Sequence, residues 1–167
     1  MPAIGVSEEH STRNPLDLLE EIIAANDWPF DRAARDELYV EIPGRWGDYR
    51  LQFCWEGKLA ALMLTCALGL KVPDGRRGTV SELLVLTNER MWLGHFDLSS
   101  VDGLPMFRHA LPLRGVGSAS VEVLEDMVDI AITECERFFP ALQFVVWGGK
   151  SPAEAVAAAC LDPVGEA

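Results

Sequence analysis

The segment YRLQFCWEGKLAALMLTCAL, residues 49–68, decides the fold because it holds two strand patterns joined by a turn signal. In the first half, apolar residues alternate with polar or small ones, which is typical of a strand with one buried face. Glu56-Gly57-Lys58 predicts a tight hairpin turn. The return strand, residues 59–68, is apolar on both faces, and this pattern predicts a central strand of an antiparallel sheet.

Strand patterns also lie on both sides of this hairpin. Residues 38–42 alternate before a turn signal at Pro43-Gly44, and a short strand around Phe30 can join the same sheet. Further along the chain, apolar residues alternate within 92–98 and again within 104–113, around a turn that contains Asp102-Gly103. These patterns predict a second antiparallel hairpin.

Helical patterns flank the two strand regions, and each begins at a capping signal. The helix-start signals are Asn14-Pro15, Thr79 or already Arg76, Ser118 or Ser120, and Ser151-Pro152. Asn26-Asp27 ends the first helix, and Gly148-Gly149 separates the third helix from the fourth. The sequence therefore predicts four helices around the sheet.

The third predicted helix is unusually long. Its apolar stripe steps by three and four residues from Val121 to Val145 and keeps its phase through Pro140. A proline inside a helix removes one N–H donor and bends the axis, so we expect a bent helix that continues to about Trp147. The alternative is a separate strand over residues 142–147, which are apolar and rich in β-branched side chains.

Length and composition limit the class of protein. The chain has 167 residues, of which 49% are hydrophobic, and this excludes a disordered chain and suits one domain. No run of about 18 apolar residues occurs, so no membrane span is expected. The N-terminus lacks a basic start followed by an apolar stretch, so no signal peptide is expected either.

The net charge of −12 is unevenly distributed. It is −7 over residues 1–41, +2 over residues 42–115 and −7 over residues 116–167. An acidic chain repels phosphate backbones at long range, which disfavours nucleic-acid binding. The mildly basic middle segment still leaves a local contact with nucleic acid open.

Four cysteines, Cys54, Cys66, Cys135 and Cys160, lie in apolar stretches without a C-x-x-C spacing. Free cysteine is among the most buried residue types, so all four are predicted to be core side chains. Without a secretion signal a disulfide framework is not expected, and we predict a cytoplasmic protein.

Motifs that could carry catalysis are incomplete. The GGKS sequence at 148–151 ends like a phosphate-binding loop, but Phe144 occupies the position of the required first glycine. Residues 115–120 lack the third glycine of a dinucleotide-binding loop. Ser99-Ser100 has no G-x-S-x-G context, and the acidic residues of the long helix are expected to face solvent. We therefore predict no catalytic residues and no cofactor.

His95 and His109 lie on the two strands of the second predicted hairpin. An even number of loop residues puts them on opposite faces of the sheet, and an odd number puts them on the same face. A two-residue Asp102-Gly103 turn separates them and sets Asp97 opposite Arg108 as an ion pair. Two histidines lack the third protein ligand of a zinc site, so no metal site is predicted.

Three segments carry a family resemblance, namely WLGHFDL (92–98), FRHALPLRG (107–115) and ECERFFPALQFVVWGGKSPAEAVAAACLDPVGEA (134–167). They resemble the YbjN family of bacterial sensory transduction regulators. The resemblance runs from about Asn14 to the C-terminus. It implies an α+β fold similar to type III secretion chaperones, a twisted antiparallel sheet flanked by helices in the order α-β-β-β-α-β-β-α-α. Residues 14–167 are predicted to form a single domain behind a flexible tail, residues 1–13. The family has no established catalytic residues, so none is carried over.

Type III secretion chaperones are typically homodimers that bind extended partner segments, so the resemblance implies a homodimer and a protein partner. One layer of helices covers only one face of the sheet, and strand 59–68 and the hairpin 92–113 are the expected contact regions. The expected partner- or dimer-binding residues are Leu62, Leu64, Trp92, Phe96 and Phe107. A rival expectation is that the final helix, residues 152–160, folds back over the second face within one chain.

The predicted function is a non-enzymatic protein-binding module, chaperone-like or sensory, that captures a partner helix or strand in an apolar groove or at a sheet edge. The alternative is a nucleic-acid-binding regulator that uses the basic middle segment. An enzyme of unknown type ranks last, because no nucleophile and no acid–base set assembles from the motifs.

Overall fold

Alternating apolar residues build one six-stranded antiparallel sheet in the computed structural model, which describes residues 12–161. The strands are β1 (Phe30–Ala34), β2 (Glu37–Gly44), β3 (Gly47–Glu56), β4 (Ala61–Ala67), β5 (His95–Leu98) and β6 (Pro105–Pro112). Their order across the sheet is β1-β2-β3-β4-β6-β5, and every neighbouring pair is antiparallel. The segment 49–68 therefore supplies the two middle strands of the sheet, as its pattern predicts.

The helices of the described chain are α1 (Leu16–Ala25), α2 (Arg77–Asn88), α3 (Val121–Val146) and α4 (Pro152–Leu161). The predicted α+β class and element order are confirmed, and the short strand expected around Phe30 is present as β1. None of these helices is both long enough and apolar enough to cross a membrane.

One hydrophobic core lies between the sheet and the helices. Along each central strand, buried residues alternate with half-exposed ones, so only one face of the sheet contributes to this core. Helices α1, α2 and α3 contribute their apolar stripes to the same core. Strand residues that are completely buried include Leu38, Leu51, Phe53, Leu62, Leu64, Cys66 and Phe107.

Helix α4 packs on α2 and α3 and lies away from the strands. Ala155 and Val156 are buried in this contact. The predicted helix start is confirmed as a capping box, because the Ser151 N–H donates to Glu154 Oε2 at 3.0 Å and the Glu154 N–H donates to Ser151 Oγ at 3.3 Å. The rival expectation that this helix covers the second face of the sheet is wrong, since its small residues pack closely against other helices.

The long helix is confirmed, because α3 runs through Pro140 to Val146. Since Pro140 has no N–H, the carbonyl of Glu136 loses its usual helical donor. The indole Nε1 of Trp46 donates to that carbonyl at 3.2 Å, and the Trp46 ring stacks on Phe139 with 6.1 Å between the ring centroids. The tip of the β2–β3 hairpin thus satisfies the group that the proline leaves without a donor.

The same contact shifts the β2–β3 turn from its predicted position. The strands continue through Pro43-Gly44, with Gly44 opposite Gly47, and the turn is Arg45-Trp46. The backbone N–H of Arg45 donates to Glu136 Oε1 at 2.6 Å, so a remote residue of α3 fixes the tip. Gly44 lies against the ring of Tyr49, where a Cβ atom would clash.

Two other turns are longer than predicted. Residues 57–60 connect β3 to β4, so the return strand begins at Ala61 and not at Leu59. Six residues, 99–104, connect β5 to β6, so the loop contains Asp102-Gly103 as predicted but is longer than the two-residue alternative. Strand β5 begins only at His95, because Gly94 has a φ of +69° and lies against the ring of Phe107.

The starts of the first two helices differ in how well they were predicted. Asn14 caps α1, since its Oδ1 accepts from the Leu16 N–H at 2.9 Å, as predicted. Helix α2 begins at Arg77 after a 3₁₀ turn over Asp74–Arg76, so the start at Thr79 is wrong and the earlier alternative is right within one residue.

The predicted N-terminal tail falls outside the described residues for positions 1–11. Of its last two residues, Thr12 donates from Oγ1 to the Leu113 carbonyl at 3.1 Å, and the Arg13 N–H donates to the Gly117 carbonyl at 3.0 Å. The chain is therefore fixed to the loop after β6 from Thr12 onward.

Candidate functional site

The face of the sheet that points away from α1, α2 and α3 is the candidate site, and we call it the open face. Strand register aligns its side chains in rows across β2, β3, β4, β6 and β5, and all of them are half-buried or exposed. The open face comprises Glu37, Tyr39, Glu41, Arg50, Gln52, Cys54, Ala61, Met63, Thr65, Ala67, His95, Asp97, Met106, Arg108 and Ala110.

The centre of the open face is apolar and built mainly from small side chains. Cys54, Met63 and Ala110 stand side by side on β3, β4 and β6. Met63 is 39% exposed, and Ala61 and Thr65 flank it along β4, with Ala67 beyond Thr65. Because most of these side chains are short, a second sheet can approach this part of the open face closely.

A polar network borders this apolar centre on the β2 side. The Tyr39 hydroxyl donates to Glu37 Oε1 at 2.6 Å, and Gln52 Nε2 donates to the same oxygen at 2.6 Å and to the Tyr39 oxygen at 3.0 Å. The hydrogen bond from Tyr39, followed by the one from Gln52, lowers the pKa of Glu37. The bond to Glu37 raises the pKa of Tyr39. The network therefore holds a carboxylate next to a protonated phenol at neutral pH.

The two arginines of the open face are both paired with acidic residues. Arg50 Nη2 lies 3.0 Å from Glu41 Oε1, and Arg108 Nη1 lies 3.4 Å from Asp97 Oδ2. Arg108 also contacts Met63, with 3.5 Å between Nη2 and Sδ. Because these charges are compensated, the open face offers little positive charge to a phosphate backbone.

Comparison with known proteins places the chain in a family. A model of the YbjN family, described as "Putative bacterial sensory transduction regulator", matches residues 15–144. The chain belongs to the YbjN family. The matched stretch contains every residue of the open face and ends inside α3, so the WGGKSPAEA segment quoted above lies beyond it.

Among solved structures, this YbjN-family chain is similar to that of YbjN from E. coli, described as "a putative transcription regulator". The two share 11% sequence identity with a TM-score of 0.46, over 72% of this chain and 90% of that chain. No curated protein matches the chain. Family membership is in agreement with the regulatory part of the predicted function.

Four of the five residues predicted to contact a partner lie in the core of this YbjN-family protein. Leu62, Leu64 and Phe107 are completely buried and Phe96 is 2% exposed, because strand alternation points them at the helices. The fifth, Trp92, lies in the loop before β5 and is 98% exposed. Contact of these residues with a partner stays a prediction, and the surface that their strands offer to solvent is the open face.

Sequence reasoning missed most of the open face because its residues are small or polar and carry no motif. The signal that could have found them is the alternation itself. In the middle of β2, β3 and β4, the residues that alternate with core residues belong to this face.

The two histidines of the hairpin lie on opposite faces, as predicted for an even loop. His95 is on the open face opposite Arg108, whereas His109 pairs with Leu64 on the core side. A two-residue turn would set Asp97 directly opposite Arg108, whereas in the structure Asp97 lies opposite Met106. The Asp97 side chain therefore reaches Arg108 diagonally across the two strands. Burial, followed by the charge of His95, lowers the pKa of His109. Within residues 12–161, no three His, Cys, Asp or Glu side chains cluster closely enough to hold a metal ion.

The cysteines divide between the core and the open face. Cys66 and Cys135 are buried as predicted, and the hydrogen bond that the Cys135 thiol donates to Cys66, followed by burial, raises the pKa of Cys135. The core prediction is wrong for Cys54, which is half-buried on the open face because it alternates with Phe53 and Trp55. Burial, followed by the charge of Glu37, raises the pKa of Cys54. The side chain of Cys160 lies outside the described residues.

Four arginines of the basic middle segment lie in separate parts of the structure. Arg77 pairs with Asp74 at 3.1 Å at the start of α2, and Arg45 lies over the Trp46 ring, 5.2 Å from its centroid, at the hairpin tip. With Arg50 and Arg108 on the open face, these bases are spread over three separate regions.

Proposed function

We propose that this chain is a regulatory protein without catalytic chemistry that acts by contact with other protein molecules, and that it is a homodimer joined through the open face. The observation that supports this proposal is the one-sided covering of the sheet. Helices α1, α2 and α3 pack on one face, α4 packs on other helices, and the open face carries no helix of the described chain. A half-covered sheet with an apolar centre favours association, because burying apolar surface stabilises the contact.

The size of the open face is appropriate for a dimer. Five strands, each about 4.8 Å wide, and seven residues of about 3.3 Å each, the length of β4, give a surface of at most roughly 24 by 23 Å. This corresponds to roughly 550 Å² of projected area, and stable interfaces bury about 800 Å² of accessible surface on each partner. Because accessible area exceeds projected area on a surface with side chains, the open face alone approaches the area that a stable dimer needs.

The composition of the open face also favours a second copy as its occupant. Two sheets that pack face to face lie about 10 Å apart when their facing side chains interdigitate. Met63 of one copy can fill the space above the small residues Ala61, Ala67 and Ala110 of the other. The ion pairs at the border are already formed within each chain, so association does not require new partners for buried charges.

For the regulatory protein partner, we propose Trp92 as an anchor. Its side chain is 98% exposed, and neighbouring Leu93 is 51% exposed. Tryptophan is enriched among the residues that contribute most to protein interfaces. Trp92 lies before the edge strand β5, so its use does not compete with the open face. We place this activity in the cytoplasm, since free thiols persist in a reducing compartment.

The substitution Met63→Arg tests the dimer. It puts a second positive charge beside Arg108 at the centre of the open face, where a partner sheet would bury it, and the 39% exposed side chain tolerates it in a monomer. We expect light scattering coupled to size exclusion to give a dimer mass for the wild type and a monomer mass for Met63→Arg. Trp92→Ala is the control, with a dimer mass expected.

A wild-type monomer mass at high protein concentration, or a dimer mass for a folded Met63→Arg variant, would contradict the proposal. Circular dichroism establishes that each variant is folded. A filter-binding series with duplex DNA across salt concentrations addresses the alternative function, because phosphate contacts give a steep salt dependence. Strong binding with a steep slope would favour a nucleic-acid-binding regulator instead.

A further inference from the structure

Side chains of the same chain form hydrogen bonds with the outward-facing backbone groups of the edge strand β5. Asn88, the last residue of α2, donates from Nδ2 to the carbonyl of Phe96 at 3.0 Å. Its Oδ1 accepts from the Phe96 N–H at 2.8 Å. The next outward N–H, that of Leu98, donates to Asp97 Oδ1 at 2.9 Å. One asparagine side chain thus makes the two hydrogen bonds that a residue of an added strand would make.

The backbone groups that Asn88 and Asp97 bind are the ones that an added strand would need. In an antiparallel sheet, alternate residues of an edge strand point their N–H and C=O groups away from the sheet. Phe96 and Leu98 are these residues in β5, since the Phe96 groups bind Asn88 on the side away from β6. A second β5 strand added in antiparallel orientation would pair Phe96 of one copy with Leu98 of the other. Of the two donors and two acceptors that β5 offers for this pairing, Asn88 and Asp97 already bind three.

The opposite edge of the sheet is protected in a different way. The pairing of β1 with β2 shifts register between Asp31 and Ala34, and such a bulge twists an edge away from regular pairing. Arg32 Nε also donates to the Ala34 carbonyl at 2.9 Å. Strand β5, by contrast, keeps regular register with β6 over its whole length, and its outward backbone groups bind the side chains of Asn88 and Asp97.

Exposed apolar residues surround the closed edge. A groove of about 430 Å³ runs between α2 and β5, and Val85, which lines it, is 59% exposed. Leu93 and Val101, before and after β5 in the chain, are 51% and 91% exposed. A strand added beside β5 would cover part of this apolar surface, which would reinforce the pairing.

We propose that the edge of β5 is a masked self-association surface, whose occupant is the β5 edge of a second copy of this chain, and that Asn88 masks it. The sheet would then be extended edge to edge, in a contact separate from the open face. Strand addition at this edge is disfavoured while Asn88 is in place, because an incoming strand would have to displace both of its hydrogen bonds before forming its own.

Asn88→Ala tests this proposal in the background of Met63→Arg, where the open face is blocked by charge. If the open-face dimer does not exist, Asn88→Ala is compared with the wild type instead. Failure of the open-face dimer is therefore distinguishable from failure of the masked β5 edge. Ser81→Ala is the matched control, since Ser81 lines the same groove on α2 but its Oγ donates to the Arg77 carbonyl of its own helix.

We expect Asn88→Ala to accelerate hydrogen exchange of the Phe96 amide by about tenfold at low protein concentration, because its acceptor is lost. At high concentration we expect light scattering to report a shift from monomer to dimer. Ser81→Ala should change neither measurement. A Phe96 amide that exchanges at the parent rate, or a monomer mass across the concentration range, overturns the proposal.

Asn88→Asp keeps the test decisive if the alanine variant does not fold. The carboxylate still accepts from the Phe96 N–H but repels the Phe96 carbonyl, so one of the two masking bonds is replaced by repulsion. We expect this variant to associate at high concentration as well, and a folded Asn88→Asp variant that stays monomeric overturns the proposal.

Discussion

Tyr49 and Tyr39 lie on neighbouring strands, and their hydroxyl groups meet opposite conditions. Tyr49 faces the core, is 3% exposed, and its hydroxyl has no hydrogen-bond partner among the described residues. Burial raises the pKa of Tyr49, so the phenol stays protonated. A buried hydroxyl without a partner destabilises the fold. The Tyr39 hydroxyl on the open face is instead bonded to both Glu37 and Gln52.

The substitution Tyr49→Phe is therefore expected to leave the free energy of unfolding unchanged or to raise it by up to about 1 kcal/mol, because it removes an unsatisfied polar group. Tyr39→Phe is the matched control and is expected to lower stability, since it removes two hydrogen bonds. Urea unfolding monitored by tryptophan fluorescence measures both. A loss of stability in Tyr49→Phe would mean that its hydroxyl is bonded in solution.

A single proline contributes one of the contacts between α3 and the β2–β3 hairpin. Pro140 withdraws the helical donor of the Glu136 carbonyl, and the Trp46 indole replaces it. Glu136 also binds the hairpin backbone through its carboxylate, so both ends of this residue hold the tip. A residue that normally weakens a helix thereby creates the acceptor that positions a hairpin on it.

A double-mutant cycle measures this coupling. Trp46→Phe keeps an aromatic ring for stacking on Phe139 but loses the indole donor, so we expect it to lower the free energy of unfolding by about 1 kcal/mol. In the Pro140→Ala background a backbone N–H is available to the Glu136 carbonyl. Trp46→Phe should therefore lower the free energy of unfolding by less in that background.

The control for this cycle is Trp147→Phe, an exposed residue just beyond the end of α3. Its effect on stability should be equal with Pro140 and with alanine at that position. Equal effects of Trp46→Phe in both backgrounds would mean that the indole bond to α3 contributes nothing to stability.

Across the whole molecule, the sheet has one face that is covered by helices and one face, the open face, that is not covered by any helix of the described chain. Two cysteines lie on the covered side, where Cys66 of β4 and Cys135 of α3 are completely buried. Cys54 lies on the open face, beside Met63 at its centre. Thiol accessibility therefore distinguishes the two faces without any change to the core.

We expect the alkylation rate of Cys54 to fall as protein concentration rises, because association through the open face covers this thiol. The experiment uses Cys160→Ser to leave Cys54 as the accessible thiol and reads the modified peptide by mass spectrometry. Met63→Arg should abolish the dependence on concentration. A rate that is independent of concentration in the Cys160→Ser protein would argue against association through this face.

The sequence by itself determined the elements and the faces. Alternation predicted the central strands, the apolar stripe carried α3 through Pro140, and Ser151 marked the start of α4, because these features arise from local backbone geometry and side-chain spacing. The same alternation implied that Leu62 and Met63 lie on opposite faces. It could not tell which of the two faces the helices cover, so the predicted contact residues were drawn largely from the core.

Only the tertiary structure decided what lies on each face and where the turns fall. Helix α4 packs on α2 and α3 because its buried residues, Ala155 and Val156, find a surface built by distant parts of the chain. The β2–β3 turn moved to Arg45-Trp46 because Glu136, 91 residues further along the chain, binds its backbone. A pattern in sequence records which side chains share a face, whereas the occupant of that face depends on contacts between segments that local geometry does not connect.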